Sequence, residues 1–117
     1  MKPRVEFAEA ALRDLALIFD SLADSHRAHG EQPTVAAELA GRRVRAILAA
    51  ADRIAEAPHR GARHDDVMPG LRHLTLDRAI YDFVQDGEDG ATVRILAIFF
   101  GGQDHQRRMR LRILRRD

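Results

Sequence analysis

Apolar residues recur along this chain with two different periods, and the change of period divides it. Between Ala8 and Ala23 they fall at Ala8, Ala11, Leu12, Leu15, Ile18, Phe19 and Leu22. Spacings of three and four trace one stripe of an amphipathic helix. Leu17 is the large apolar exception, and Glu9, Arg13, Asp14 and Asp20 fall largely off the stripe. A polar connector from Ser25 to Pro33 leads to a second helix, capped by the Thr34 hydroxyl and running to about Ala57. Its stripe is Val44, Ile47, Leu48, Ala51, Ile54 and Ala55. Gly41 weakens its interior by ~1 kcal/mol relative to alanine and marks a bend or a close crossing with the first helix. Pro58 and Gly61 end it. Two such helices joined by a short loop make an antiparallel hairpin whose stripes need an apolar surface to cover.

That surface starts after a polar, charged stretch from His59 to Met68 that reads as a loop. From Leu71 the period becomes two. Leu74 and Leu76 share a face with Arg72; Ala79, Tyr81 and Phe83 share one in the next run. Asp86-Gly87-Glu88-Asp89-Gly90 then supplies the residues that tolerate positive φ in a hairpin loop. In the final run Val93, Ile95, Ala97 and Phe99 point to one side, and Leu96, Ile98 and Phe100 to the other. A strand apolar on both faces belongs in the centre of a sheet. These runs predict a three-stranded antiparallel meander ending in the corner Gly101-Gly102, and Arg4 to Phe7 adds a short first strand at an edge. The fold class is α+β, β-α-α-β-β-β, with the helical hairpin packed on a mainly antiparallel sheet, all in one domain over 1–117.

Beyond the corner, Asp104 suits a helix N-cap, and Met109 and Ile113 lie one turn apart beside Leu114, so a short C-terminal helix is predicted. Met109, Leu111 and Ile113 also alternate, which fits a strand. The helical hairpin covers one face of the apolar strand only. The other face needs this terminal segment or another chain, because apolar patches of several hundred Å² are rarely left bare.

Composition narrows the classes. A chain of 117 residues buries enough surface for a core without staples. It has no cysteine, hence no disulfide framework and no thiolate metal site. No apolar run approaches the ~20 residues of a membrane span, and Met1-Lys2-Pro3-Arg4 lacks the apolar core of a signal peptide, so a cytoplasmic protein is expected. Basic and acidic side chains, 19 and 18, nearly cancel. Their distribution is uneven: Arg107, Arg108, Arg110, Arg112, Arg115 and Arg116 crowd the end. Such a tail meets nucleic acid or an acidic protein, or is simply a solvated segment.

For metal binding, His59, His64, Asp65, Asp66, His73 and His105 have the right chemistry. None forms a helical His-x-x-x-His pair, and they read as surface histidines and acids of a loop; no metal and no cofactor is expected. The only serines, Ser21 and Ser25, lack a Gly-x-Ser-x-Gly elbow. Gly101-Gly102 lacks the residues of a phosphate loop. RNA cleavage needs a base, an acid and cations around a charged phosphorane. Arg72, Arg78 and His105 are the candidate catalytic set. The plain alternative is strand-surface arginine and an exposed histidine.

Ala11-Leu12-Arg13-Asp14-Leu15, followed by Ile18, resembles the first-helix signature of the RelE/ParE toxin superfamily of type II toxin–antitoxin modules. Pro69-Gly70-Leu71-Arg72, the strand from Ile80 to Val84, the run from Val93 to Phe99 and Gly101-Gly102-Gln103-Asp104-His105 resemble the later half of a ParE-like member, in matching order and spacing. The resemblance spans about Val5 to His105. It implies the β-α-α-β-β-β fold and a cognate antitoxin wrapped on helices and sheet. Exposure logic assigns Leu17, Ile98 and Phe100 to the antitoxin. The superfamily splits by target: RelE-like members cleave messenger RNA on the ribosome, and ParE-like members poison DNA gyrase. Arg78 falls where RelE-like enzymes carry a strand arginine. After the last strand, however, this chain has Gly101-Gly102-Gln103-Asp104-His105 in place of Gly-Lys-Arg and a tyrosine, and its single tyrosine, Tyr81, lies inside a strand. The resemblance therefore implies a ParE-like gyrase inhibitor with no catalytic residues and with Arg72, Arg78, Arg107 and Arg108 as target-binding residues; the alternatives are a RelE-like ribonuclease and a non-toxic interaction module.

Overall fold

A computed structural model describes residues 2–101. The elements are β1 (Arg4–Phe7), α1 (Glu9–Ala28), α2 (Pro33–Glu56), β2 (Ala62–Arg63), β3 (Arg72–Leu76), β4 (Ala79–Asp86) and β5 (Thr92–Phe100). The strands form one sheet in the order β1-β5-β4-β3-β2, in which β1 runs parallel to β5 and the other pairs are antiparallel. The α+β class, the helical hairpin and the edge position of β1 are as expected. The predicted C-terminal helix with its Asp104 cap lies outside the described residues. Among the described residues no helix is long and apolar enough to cross a membrane.

The helices differ from expectation at their ends. α1 continues to Ala28 because the polar run Ser25-His26-Arg27 does not break a helix. Gly30, at φ +101°, does. Its N–H bonds to the Arg27 carbonyl and that of Glu31 to the His26 carbonyl, the paired bonds of a Schellman stop. α2 begins at Pro33 rather than after a Thr34 cap; Gln32 occupies the cap position, with no side-chain bond. Proline at the first helical position already has the required φ and lacks only an amide that would be unsatisfied anyway.

The sheet departs from simple alternation at one residue. Asp82 of β4 pairs with Ala97 of β5, but Phe83 pairs with Ile95, so Leu96 is an extra, bulged residue. The bulge inverts the faces of β5. Val93, Ile95 and Ile98 join the helix-side core with Ala79, Tyr81, Phe83, Leu15, Ile18, Ile47 and Ile54, and Phe100 packs against it. Ala97 and Phe99 turn to the far side. There they form a second cluster with Leu71, against which Val67, Met68, Ile80, Val84 and Leu96 pack. The grouping of Val93 and Ile95 with Ala97 and Phe99 is thus corrected. β5 is an inner strand, as expected, but β4 holds the centre.

The stretch predicted as loop also does more. It contains β2, which pairs with Arg72 and His73 of β3, and Val67 and Met68 cover part of the far face. Glycine is required at Gly61: at φ +97°, a Cβ there would lie 2.4 Å from the His73 carbonyl oxygen.

Two buried polar contacts lock helices to sheet. Asp14, expected on a polar helix face, is 7% exposed. β1 reaches only as far as Ile95 along β5. Past it, the Asp14 carboxylate accepts the Ile98 N–H at 2.9 Å, standing in for the absent strand. Tyr81, the tyrosine inside β4, donates its hydroxyl to the Ile47 carbonyl of α2 at 2.7 Å.

Replacing Asp14 by alanine leaves the Ile98 amide buried without that acceptor. Asp14→Ala should lower unfolding stability by about 2 kcal/mol, and Asp14→Asn, which keeps an acceptor oxygen, should lower it by less; urea denaturation measures both. Burial pushes the Tyr81 phenol from its ordinary value of 10.0 up to about 12. A raised pKa means that the folded state favours the protonated phenol, so its contribution is whole below pH 10.0 and drains as pH rises toward 12. Tyr81→Phe should remove this part of the alkaline loss, seen in urea titrations on either side of pH 10.0.

Candidate functional site

The β3–β4 hairpin closes through Asp77 and Arg78, at φ 50° and 72°. Positive φ at both central positions is the pattern of a type I′ turn, matched to strand twist. Arginine accepts that region reluctantly, and here it points a guanidinium at the end of the sheet. Ala79 pairs with Phe100, so the turn and the end of β5 are adjacent. The Arg78 guanidinium lies 5.6 Å from the centre of the Phe100 ring, and that of Arg43, from α2, lies 4.8 Å from it. Both are within cation–π range. Arg43 also donates to the Asp77 carbonyl at 3.0 Å, and Arg53 holds the Asp77 carboxylate at 2.6 Å.

These contacts frame a groove of about 570 Å³ lined by Leu22, His26, Leu39, Arg42, Arg43, Ala46, Arg78 and Phe100. Among the described residues no carboxylate lines it, and Asp77, beside it, is already engaged. Among the described residues Arg42, Arg43 and Arg78 form no ion pair. Fixed cations around a half-buried ring, above an aliphatic floor, suit an anion with some apolar character. A larger groove, about 1050 Å³, lies between the N-terminal residues, the end of α2 and the β4–β5 loop. Lys2, Arg4 and His59 face Glu56, Glu88 and Asp89 there, so it has no dominant sign.

The other predicted site residues that lie among the described residues do not join this groove, Phe100 excepted. Arg72 stands at the opposite end of β3, roughly 13 Å of strand from Leu76 at ~3.3 Å per residue. Its guanidinium donates to the carbonyls of His59 and Gly61, at 3.0 and 3.4 Å, and so ties down the chain leaving α2. Ile98 is 1% exposed and part of the core; it offers a partner no surface, because the Leu96 bulge turns it toward the helices. Leu17 is 66% exposed, and Phe100 is half-buried in the groove. His105, Arg107 and Arg108 lie outside the described residues.

Of the candidate metal ligands, His64 and His73 stack with ring centres 4.0 Å apart and Nε2 atoms 3.3 Å apart. The Asp65 carboxyl is held below its usual range, first by the Gly70 N–H and then by Arg63; it closes the loop rather than facing the histidines. Among the described residues no group of three or more histidines and acids is placed to hold a metal ion. Arg42, Arg43 and His26 were missed in the sequence. Their one signal was the doublet Arg42-Arg43 after Gly41, indistinguishable from any polar helix face.

No protein-family model matches the chain, and no curated protein does. Solved structures do. A chain of the chromosomal ParDE toxin–antitoxin system from P. aeruginosa is similar with a TM-score of 0.62 and 22% identity, over 83% of this chain and 94% of that one. A chain of the toxin–antitoxin complex RelBE2 from Mycobacterium tuberculosis is similar with a TM-score of 0.54 and 19% identity, over 86% and 99%. This chain has the RelE/ParE fold. The likeness extends over nearly the whole length of both of those chains.

Surface and core positions should respond differently to substitution. Leu17→Lys should change stability by less than about 0.5 kcal/mol. Ile98→Ala should cost about 3 kcal/mol, as for other buried isoleucines. Chemical denaturation of the two variants checks this assignment.

Proposed function

We propose that this protein is the toxin of a type II toxin–antitoxin module, of the ParE-like kind. It inhibits DNA gyrase by binding, without an active site of its own, and a cognate antitoxin neutralises it in the cytoplasm. The fold shared with chains of two toxin–antitoxin complexes supports the module. One observation carries the choice of gyrase over the ribosome: Arg72 and Arg78, two-thirds of the candidate nuclease set, sit at opposite ends of β3, and Arg72 is spent on backbone carbonyls. Phosphoryl chemistry needs its cations convergent on one phosphate. Arg78 is left as a contact residue for the target.

A second reading has its own support. His26 lies in the groove with Arg42, Arg43 and Arg78, one imidazole among cations, which supplies part of what RNA cleavage needs. The two readings separate on induced expression without antitoxin, with gyrase-linked DNA ends and RNA ends both mapped. The ParE-like reading expects growth arrest, gyrase-linked DNA breaks and no new RNA ends. It also expects His26→Ala to remain toxic. Codon-phased RNA cuts that vanish in His26→Ala would replace it with the ribonuclease, and unchanged growth would leave an interaction module.

A further inference from the structure

We propose that His64 and His73 form an open metal site that takes a divalent transition ion of the zinc kind, with water completing its coordination. This goes beyond the functional reading above and does not rest on it.

Distance is the first ground. The two Nε2 atoms lie 3.3 Å apart and the two ring centres 4.0 Å apart. The rings thus lean together at their Nε2 edges, so the lone pairs there converge. Two imidazole nitrogens on a tetrahedral zinc, each at ~2.1 Å, stand ~3.4 Å from one another. The same gap is long for a hydrogen bond between ring nitrogens, whose ordinary range ends at ~3.2 Å. A shared proton spans it poorly, and a metal ion fits it.

The sheet supplies the second ground. His73 lies in β3 directly opposite Asp82 of β4. Side chains of such a cross-strand pair stand on one face of the sheet, with Cβ atoms ~5 Å apart. Ile80 and Val84, two residues to either side of Asp82, pack in the far-side cluster and mark which face this is. Asp82 is fully buried, and so is the Nδ1 atom of His73. A carboxylate so placed favours a proton on Nδ1 and leaves Nε2 as the donor to a metal, the usual outer support of a ligating histidine.

Both rings are half-buried, so water reaches the remaining coordination positions. Asp65, next to His64, is taken up by the Gly70 N–H at 2.7 Å and by Arg63 at 2.9 Å. The site therefore rests on two nitrogens, in keeping with the lack of a three-ligand cluster among the described residues. The His64 N–H bonds to the Leu71 carbonyl at 2.8 Å, and between these residues Val67 and Met68 pack on the far face. An ion gripped by both histidines clips that covering segment to β3. Its effect is on stability.

The test uses the full chain without a histidine tag, freed of metal, with zinc chloride as the probe. An ion that binds only the folded state raises the melting temperature by mass action, so a rise that grows with zinc concentration and reverses with a chelator is expected. Magnesium, which prefers oxygen ligands, should give none. Isothermal titration should show zinc binding weakened at least about tenfold in His64→Gln and in His73→Gln, and about tenfold in Asp82→Asn. His29→Gln, whose ring bonds to the Ser25 carbonyl at the end of α1, should leave it unchanged. Circular dichroism confirms that each variant is folded; should Asp82→Asn unfold, the two histidine variants decide. Ring 15N spectra at saturating zinc should show both imidazoles protonated at Nδ1 and shifted at Nε2. No rise in melting temperature up to about 1 mM zinc, a rise kept in both histidine variants, or an equal rise with magnesium overturns the proposal. An Nε2–H retained on either ring at saturating zinc also overturns it and leaves a hydrogen-bonded pair.

Discussion

The structure depends on how the free edge of β5 is satisfied. β1 has four residues and pairs with β5 only from Thr92 to Ile95, although β5 runs on to Phe100. A buried strand edge with unpaired amides is costly, because each orphaned group forfeits its hydration. The chain solves this by passing straight from β1 into α1, with the Ala8 N–H on the Ile95 carbonyl, and by laying the Asp14 carboxylate against the Ile98 N–H one and a half turns later. A helix thereby completes the edge of the sheet where β1 stops short of the end of β5. The apolar stripe of α1 then has only one way to face, and α2 follows by antiparallel packing.

Close packing of the two helices comes from small residues. Ala11 on α1 and Ala36, Ala40 and Ala51 on α2 are fully buried, and the Phe19 ring passes 3.8 Å from where a Cβ at Gly41 would stand. With little side-chain volume between the backbones, α2 comes down onto β4 far enough for Tyr81 to reach the Ile47 carbonyl. That same descent sets Arg43 over Phe100. The groove is therefore a consequence of helix placement, and helix placement is anchored at Asp14 and Tyr81.

Much of this was legible in the sequence, for physical reasons. Period three-to-four and period two report which side of an element faces oil, and both helices, β3, β4 and β5 emerged from that signal alone. It failed where one residue breaks the period. Leu96 is as apolar as its neighbours, so hydropathy cannot mark it as the bulge; the register is fixed by β4 across the sheet. It failed again at Asp14, whose burial makes sense only once the length of β1 is known. Arg78 could be singled out as an arginine on or between strands, at the place where RelE-like enzymes carry a strand arginine; the structure puts it in the β3–β4 turn. Its companions Arg42 and Arg43 could not, since convergence from α2 is a tertiary fact with no local trace.

The sequence alone suggested a sheet left greasy on its second face. In the structure that face is buried at Leu71, Ala97 and Phe99, with the chain's own Val67 and Met68 packed against it. What stays unsatisfied among the described residues is charge: three guanidiniums held together by a strained turn, a backbone carbonyl and an aromatic ring. Exposed apolar surface is non-directional and welcomes any hydrophobic neighbour. Cations fixed in a groove ask for anions at matching positions, which gives a complex its register and its selectivity rather than bulk adhesion.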